Sequence, residues 1–339
     1  MTSPETLAVE RFLHRFTRRS LDPIPTDGLL AARQRIDTVL DERGRQFSLF
    51  DSPPELELIP APTPITQHSA PALQAPESQI ADELSPSQVR CFLDCSARWW
   101  YKYGLNLPDP KGSSLVRGIV VHRMAEMYLR TKCAGEPLEN SEMALLFDEV
   151  WEETAAGASF EAGEDIEKLK QQTEVLAAMY VRDVAPEIEP AVIHGQPAIE
   201  MCVSGQIGGV NVRGIIDLVD SRGCIRDLKT AARKPSAIAP DYALQIATYA
   251  EIAPQVSGEA ELCTLVATKT PQLVTVSYHV SDADRAQARA IYPRAQDAMR
   301  AGTVLPNRAS NLCSHKHCNF WAACEAEYGG RVKGGETGK

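Results

Sequence analysis

Two carboxylates and one ammonium stand close together in the otherwise apolar stretch from Gly214 to Lys229. The stretch reads as two short strands, the first ending on Asp217. Ser221-Arg222-Gly223 forms the turn, with Gly223 free to take a positive φ. The second strand carries Asp227 and Lys229 two positions apart, and alternate residues of a strand face one side. Charged groups gathered in an apolar hairpin are costly unless they bind something. A divalent cation held by oxygen ligands, with the lysine beside it, fits such a set. The chemistry expected is metal-dependent cleavage of a phosphodiester bond.

The elements that must position these groups follow from periodicity. Ser85 caps a helix with Pro86 in its first turn, and the helix runs through Cys95 and the aromatic residues Trp99, Trp100, Tyr101 and Tyr103 to end at Gly104–Pro108. The aromatic run reads as helix core. A second helix, Gly118–Leu129, places His122 and Glu126 four apart on one face, within reach of the expected metal. Two amphipathic helices, Ser141–Glu153 and about Glu164–Val184, read as an insert without chemistry of its own. Alternation over Ala198–Val203 and Gly209–Gly214 leads into the hairpin as an antiparallel meander. Pro240–Tyr249 is then a helix with Gln245 and Tyr249 four apart on one face. Strands at 260–268 and 273–278 follow, and Ser281 caps a last long helix to about Met299. The order predicts a mixed α/β domain with helices against a central sheet.

The bulk properties set limits. The chain has 339 residues, 44% apolar and 24% charged, so a packed core is expected. No apolar run is long enough to span a membrane, and residues 1–20 carry Arg11, Arg15, Arg18 and Arg19 rather than the apolar core of a secretion signal, so a cytoplasmic protein is expected. The net charge of −10 argues against a protein that coats nucleic acid non-specifically, although residues 84–133 are locally basic. No Gly-x4-Gly-Lys-Ser/Thr loop is present, so the chain lacks the phosphate-binding signature of an ATPase motor. Of nine cysteines, Cys313, Cys318 and Cys324 cluster near the C-terminus and read first as ligands of a metal or cluster.

The domain organisation expected is a helical arm over 1–50, a Pro/Ala-rich linker over 51–83, a main domain over 84–328 and a flexible tail over 329–339. At the edge of the linker, Gln46-Phe47-Ser48-Leu49-Phe50 has no core of its own to enter. It resembles the bacterial sliding-clamp-binding motif through Gln46, Ser48, Leu49 and Phe50. The alternatives are a tether to the clamp and docking of the apolar residues on the main domain.

Taken together, the residues resemble the PD-(D/E)XK nuclease superfamily, and within it the RecB-like branch that includes the iron–sulfur nucleases of CRISPR adaptation, bacterial recombination complexes and related phage exonucleases. The matching features, in order, are Ser85-Pro86-Ser87 with Cys95 and the aromatic run, Gly118 with His122, Asp217, Asp227-Leu228-Lys229, and Gln245 with Tyr249. Ile216 stands where the family often has proline. The resemblance implies a restriction-endonuclease-like core, a central mixed sheet flanked by helices with a helical insert. It implies that Asp217, Asp227, the Leu228 carbonyl and His122 hold Mg2+ or Mn2+, that Lys229 handles the attacking water, and that Gln245 and Tyr249 orient the substrate strand or Lys229. Glu126 is a weaker candidate.

It also implies that Cys95, Cys313, Cys318 and Cys324 bind a [4Fe–4S] cluster. Cys313 and Cys318 have four residues between them where the family often has two, and His315 and His317 fall in that interval, which keeps a zinc site as the alternative. Cys91 is a substitute for Cys95, while Cys133, Cys202, Cys224 and Cys263 read as buried apolar fillers. The expected function is a DNA exonuclease in recombination, repair or phage DNA processing, with DNA and recombination or helicase proteins as partners. The competing readings are a catalytically silent DNA-binding or scaffold module and a clamp-tethered adaptor.

Overall fold

A computed structural model describes residues 82–136 and 138–334. The expected helical arm, the peptide Gln46–Phe50, nearly all of the linker and the last five residues lie outside the described residues. Two compact units divide the described chain. One, helical, comprises 117–156 and 165–187; the other, built on the sheet, comprises 82–116, 157–164 and 188–334.

In the helical unit, helix α3 (Ser113–Cys133), which begins in the sheet unit, is followed by α4 (Asn140–Ala155) and α5 (Ile166–Asp183). Glu139 and Glu142 form a capping box at the start of α4, and Asp165 caps α5 by accepting from Lys168 N. Leu146, Phe147, Val150 and Trp151 of α4 are buried, as are Leu169, Leu176 and Tyr180 of α5, each set at helical spacing. Lys170 of α5 pairs with Asp148 of α4 at 2.7 Å.

The sheet unit begins with strand β1 (Glu83–Leu84), so Glu83, at the end of the expected linker, already lies in the sheet. Helix α1 (Pro86–Asp94) follows, capped by Ser85, whose hydroxyl accepts from Gln88 N at 3.2 Å. The expected single helix does not continue through Cys95. That residue is extended, at φ −157°, and the chain restarts as α2 (Ser96–Trp99) and then a π-helical turn (Trp100–Gly104). The break is stitched to a distant loop: Ser96 Oγ donates to Leu305 O at 3.1 Å, and Asn307 Nδ2 donates to Asp94 O at 2.7 Å. Trp99, Trp100 and Tyr101 are buried in the core and Tyr103 is half-buried.

The remaining elements are the short pair β2 (Val192–Ile193) and β3 (Gln196–Pro197), then β4 (Ile199–Ile207), β5 (Val210–Val219), β6 (Ile225–Ala231), α6 (Pro240–Ile252), β7 (Glu259–Val266), β8 (Gln272–His279), α7 (Asp282–Arg300) and α8 (Trp321–Tyr328). Strand β5 is the hub. It pairs antiparallel with β4 along its length, parallel with β1 at Asn211 and Val212, and antiparallel with β6 at Leu218 and Val219. β6 then runs parallel to β7, which pairs antiparallel with β8. The sheet is therefore mixed, and the parallel step is made by the crossover through α6, as a parallel pair requires. Helices α1, α6 and α7 pack on one another and on β4 and β5. Among the described residues no helix is long and apolar enough to cross a membrane.

Candidate active site

The turn between β5 and β6 forms as the sequence requires. Gly223 takes φ +77°, and Asp220 folds back over the turn, accepting from Arg222 N at 2.9 Å and Cys224 N at 3.0 Å. Its other oxygen accepts from the Arg222 and Arg226 guanidinium groups. Burial works against the Asp220 carboxylate, but these donors together hold its pKa below the ordinary aspartate value. Asp220 is thus spent on the turn.

Contrary to expectation, the first strand does not end at Asp217 but continues to Val219. β5 and β6 are paired only at Leu218–Arg226 and Val219–Ile225, whereas β6 stays paired with β7 from Ile225 to Ala231. The two strands splay apart, and Asp217 lies at the mouth of the splay. A buried backbone N–H that loses a strand partner must find another acceptor. Here Leu228 N donates to Asp217 Oδ2 at 3.0 Å, which fixes that carboxylate against β6.

Asp227 and Lys229 share one face of β6. Lys229 Nζ donates to Asp227 Oδ1 at 2.8 Å, with Asp227 buried and Lys229 about one-fifth exposed. Burial pulls the lysine pKa down, but the charges of Asp217 and Asp227 outweigh it and hold Lys229 above the ordinary lysine range. On its outer side the ammonium lies 5.4 Å from the centroid of the Tyr242 ring.

Gln245 and Tyr249 of α6 reach the same region from beneath. Gln245 Nε2 donates to Tyr249 Oη at 3.0 Å, and Tyr249 Oη donates to Ile215 O at 2.6 Å, two residues before Asp217. Tyr249 is buried, and burial, helped by the charge of Asp217, pushes its phenol far above the usual range. Glycine within a strand commonly marks a close approach, and Gly214 does so here. A Cβ at that position would lie 2.6 Å from Tyr249 Cε1. Because the ring is fixed by two hydrogen bonds, Gly214→Ala is expected to cost about 1–3 kcal/mol through overpacking. Thermal melting measures this, and an unchanged Tm would show that the tyrosine does not brace β5.

Sequence reasoning missed Glu200. It stands across from Asp217, between the pairs Ile199–Leu218 and Met201–Ile216 of β4 and β5. Glu200 takes φ +49°, a left-handed conformation that costs a non-glycine residue on the order of 1 kcal/mol. A carboxylate oxygen of Glu200 and one of Asp217 lie within 4.8 Å of each other. The signal lay in the strand register, whose flanking pairs set the two positions opposite each other, and not in any motif. Two half-buried carboxylates at this separation suit a hard divalent cation, so the residues fit the expected Mg2+ or Mn2+.

In the helical unit, His122 lies on α3. Glu126 is buried there and accepts from Arg130 Nε at 2.9 Å, a helical i,i+4 pair.

A second constellation lies elsewhere in the sheet unit. Cys95, Cys313, Cys318 and Cys324 all line one cavity, together with Arg98, Tyr101, Arg308 and Phe320. Asn307 N donates to Cys95 Sγ at 3.4 Å, and the Phe320 backbone N–H donates to Cys318. Backbone N–H groups aimed at thiol sulfurs suit thiolate ligands, so these residues fit an iron–sulfur centre. His315 stacks on Trp321 with ring centroids 3.7 Å apart, and His317 is exposed. Cys224 and Cys263 are buried as expected. Cys133 and Cys202 are exposed, which corrects their reading as fillers: one falls at the end of α3 and the other on the outward positions of β4.

The fold resembles that of a protein from Eubacterium rectale provisionally named an exonuclease, at 18% identity and a TM-score of 0.45, covering 70% of this chain and 88% of that one. It also resembles SSO0001, at 11% identity and a TM-score of 0.36, covering 73% and 87%. Comparison with curated proteins gave no match. The family model of the PD-(D/E)XK nuclease superfamily matches residues 83–325, a span that contains both strands of the splay and every described residue placed around it. With well over half of its length so matched, the chain belongs to the PD-(D/E)XK nuclease superfamily.

Proposed function

We propose that the chain is a Mg2+- or Mn2+-dependent deoxyribonuclease of the RecB-like, iron–sulfur branch, acting as an exonuclease in DNA recombination, repair or phage DNA processing. The observation that carries this reading is the set at the splay of β5 and β6: Asp217 fixed by Leu228 N, and Asp227 paired with Lys229 on the adjoining strand. Asp217 and Asp227 bind the cation through carboxylate oxygens, with Glu200 beside Asp217 as an added ligand. The Leu228 carbonyl and, on the strength of the Gly118-to-His122 spacing, His122 complete the ligand set. When bound, the cation polarises the scissile phosphate and lowers the pKa of a coordinated water. Lys229 donates hydrogen bonds to that water or to a phosphate oxygen and offsets the negative charge that grows as the water oxygen bonds to phosphorus and the leaving oxygen departs. Gln245 and Tyr249 are positioning residues that hold the Ile215–Asp217 segment.

The four cysteines lining one cavity hold a [4Fe–4S] cluster in this reading. All four cysteines line that cavity and neither His315 nor His317 does, which favours an all-thiolate set over zinc with histidine. The cluster's part is to join the α1–α2 break to the C-terminal segment.

The test is incubation of the full chain with end-labelled single- and double-stranded DNA and with covalently closed circular DNA, in Mn2+ and in EDTA. Linear DNA is expected to be degraded only with the metal, and the circle to resist. No metal-dependent degradation of any substrate would overturn the nuclease reading, and cutting of the circle would overturn the exonuclease part alone.

A further inference from the structure

Arg90 lies on α1 and Tyr242 in the first turn of α6. The Arg90 guanidinium carbon is 4.9 Å from the centroid of the Tyr242 ring, and Lys229 Nζ is 5.4 Å from the same centroid. One half-buried ring is therefore shared by the ammonium of the proposed active site and by a guanidinium on the surface. Arg90 Nε pairs with Asp241 at 2.7 Å, the two side chains being 43% and 38% exposed. An exposed ion pair of this kind adds little to stability. It does hold the guanidinium over the ring, which limits the positions its planar fork can take toward a phosphate. The two cations are separated by no more than those two ring distances end to end. Phosphates along one strand of a duplex rise about 3.4 Å each, so a second cation at this remove falls within about three nucleotides of a phosphate at Lys229.

We propose that Arg90, braced on Tyr242 and held by Asp241, is a second phosphate-binding point for the DNA strand being cut, a short distance along it from the scissile bond. The inference rests on the nuclease reading above. Asp241 has two opposed effects: it orients Arg90, and it competes with the phosphate for it. A phosphate contact and a merely structural ion pair therefore predict different things. Removing either partner of a structural pair shifts behaviour in the same direction. Removing Arg90 from a phosphate contact weakens DNA binding, whereas asparagine at 241 keeps an oxygen that can accept from Arg90 Nε and so orient it, but loses the competing charge, which strengthens binding.

The experiment is an anisotropy titration of a labelled DNA oligonucleotide with the full chain in EDTA, at several salt concentrations from about 50 to 200 mM. Arg90→Gln is expected to raise Kd throughout. It should also make the slope of log affinity against log salt less negative by about 0.7 on single strands or about 0.9 on duplex. Asp241→Asn is expected to lower Kd. An unchanged slope in Arg90→Gln, or weaker binding in Asp241→Asn, overturns the proposal. If the wild type binds and degrades DNA with Mn2+ while Arg90→Gln keeps the wild-type slope, this inference falls and the nuclease reading stands. A wild type that neither binds nor cleaves DNA sinks both.

Discussion

Asp227→Asn is expected to lower metal-dependent DNA cleavage by on the order of 10^3-fold or more while shifting Tm by only a few degrees. Asparagine keeps the shape of the side chain and an acceptor for Lys229, but it loses the charge that binds the cation and pairs with the ammonium. The choice of substitution matters because Asp227 is buried. Alanine would leave Lys229 without its nearest carboxylate. Breaking a buried pair from one side destabilises by several kcal/mol, and with Lys229 about one-fifth exposed the figure here is nearer about 1–3 kcal/mol. An activity loss in Asp227→Ala would then mix chemistry with unfolding. Measured side by side, kcat/KM and Tm separate the two. An Asp227→Asn variant that retains near wild-type kcat/KM would overturn the assignment of Asp227 as a metal ligand.

The second large effect is expected at the cysteine cavity. Cys318→Ser or Cys324→Ser, purified anaerobically, is expected to lose the brown visible absorbance of a thiolate-bound iron–sulfur centre and to melt well below the wild type. Linking Cys95 to residues more than two hundred positions later removes a large closure entropy from the unfolded chain. The cross-link argument puts that at about 5 kcal/mol. Cys91→Ser is the control: Cys91 sits one helical turn before Cys95 but is not among the residues lining the cavity, so its variant should keep the colour. Colourless wild-type protein carrying stoichiometric zinc would replace the iron–sulfur reading with a zinc one. Loss of colour in Cys91→Ser alone would move the ligand from Cys95 to Cys91.

The first of these predictions rests on one architectural device, a strand pair that parts. Two antiparallel strands paired throughout would spend their backbone donors on each other. Because β6 leaves β5 after two pairs, the Leu228 N–H is available to Asp217, and the carboxylate is held at the opening rather than along the face of a continuous hairpin. Tyr249 fixes the approach to that opening from below through Ile215 O, and Gly214 leaves room for its ring.

The sequence by itself determined the residue types and the local elements. Alternation and turn chemistry placed Asp227 beside Lys229 and assigned Gly223 to the turn. Capping residues Ser85 and Ser281 marked helix starts that the structure places within a residue. Helical spacing set Gln245 and Tyr249 on one face. These are short-range properties, fixed by steric preference and period within a few residues. Only the tertiary structure decided how far β5 runs, where the pair parts and what faces Asp217. Glu200 reads as one more polar residue of an alternating strand until the β4–β5 register sets it opposite Asp217. Cys95 looks like a mid-helix residue until the loop at 305–310 breaks the helix there and draws its thiol into the cavity. Such pairings join residues tens to hundreds of positions apart, and long-range packing, which no local pattern encodes, selects them.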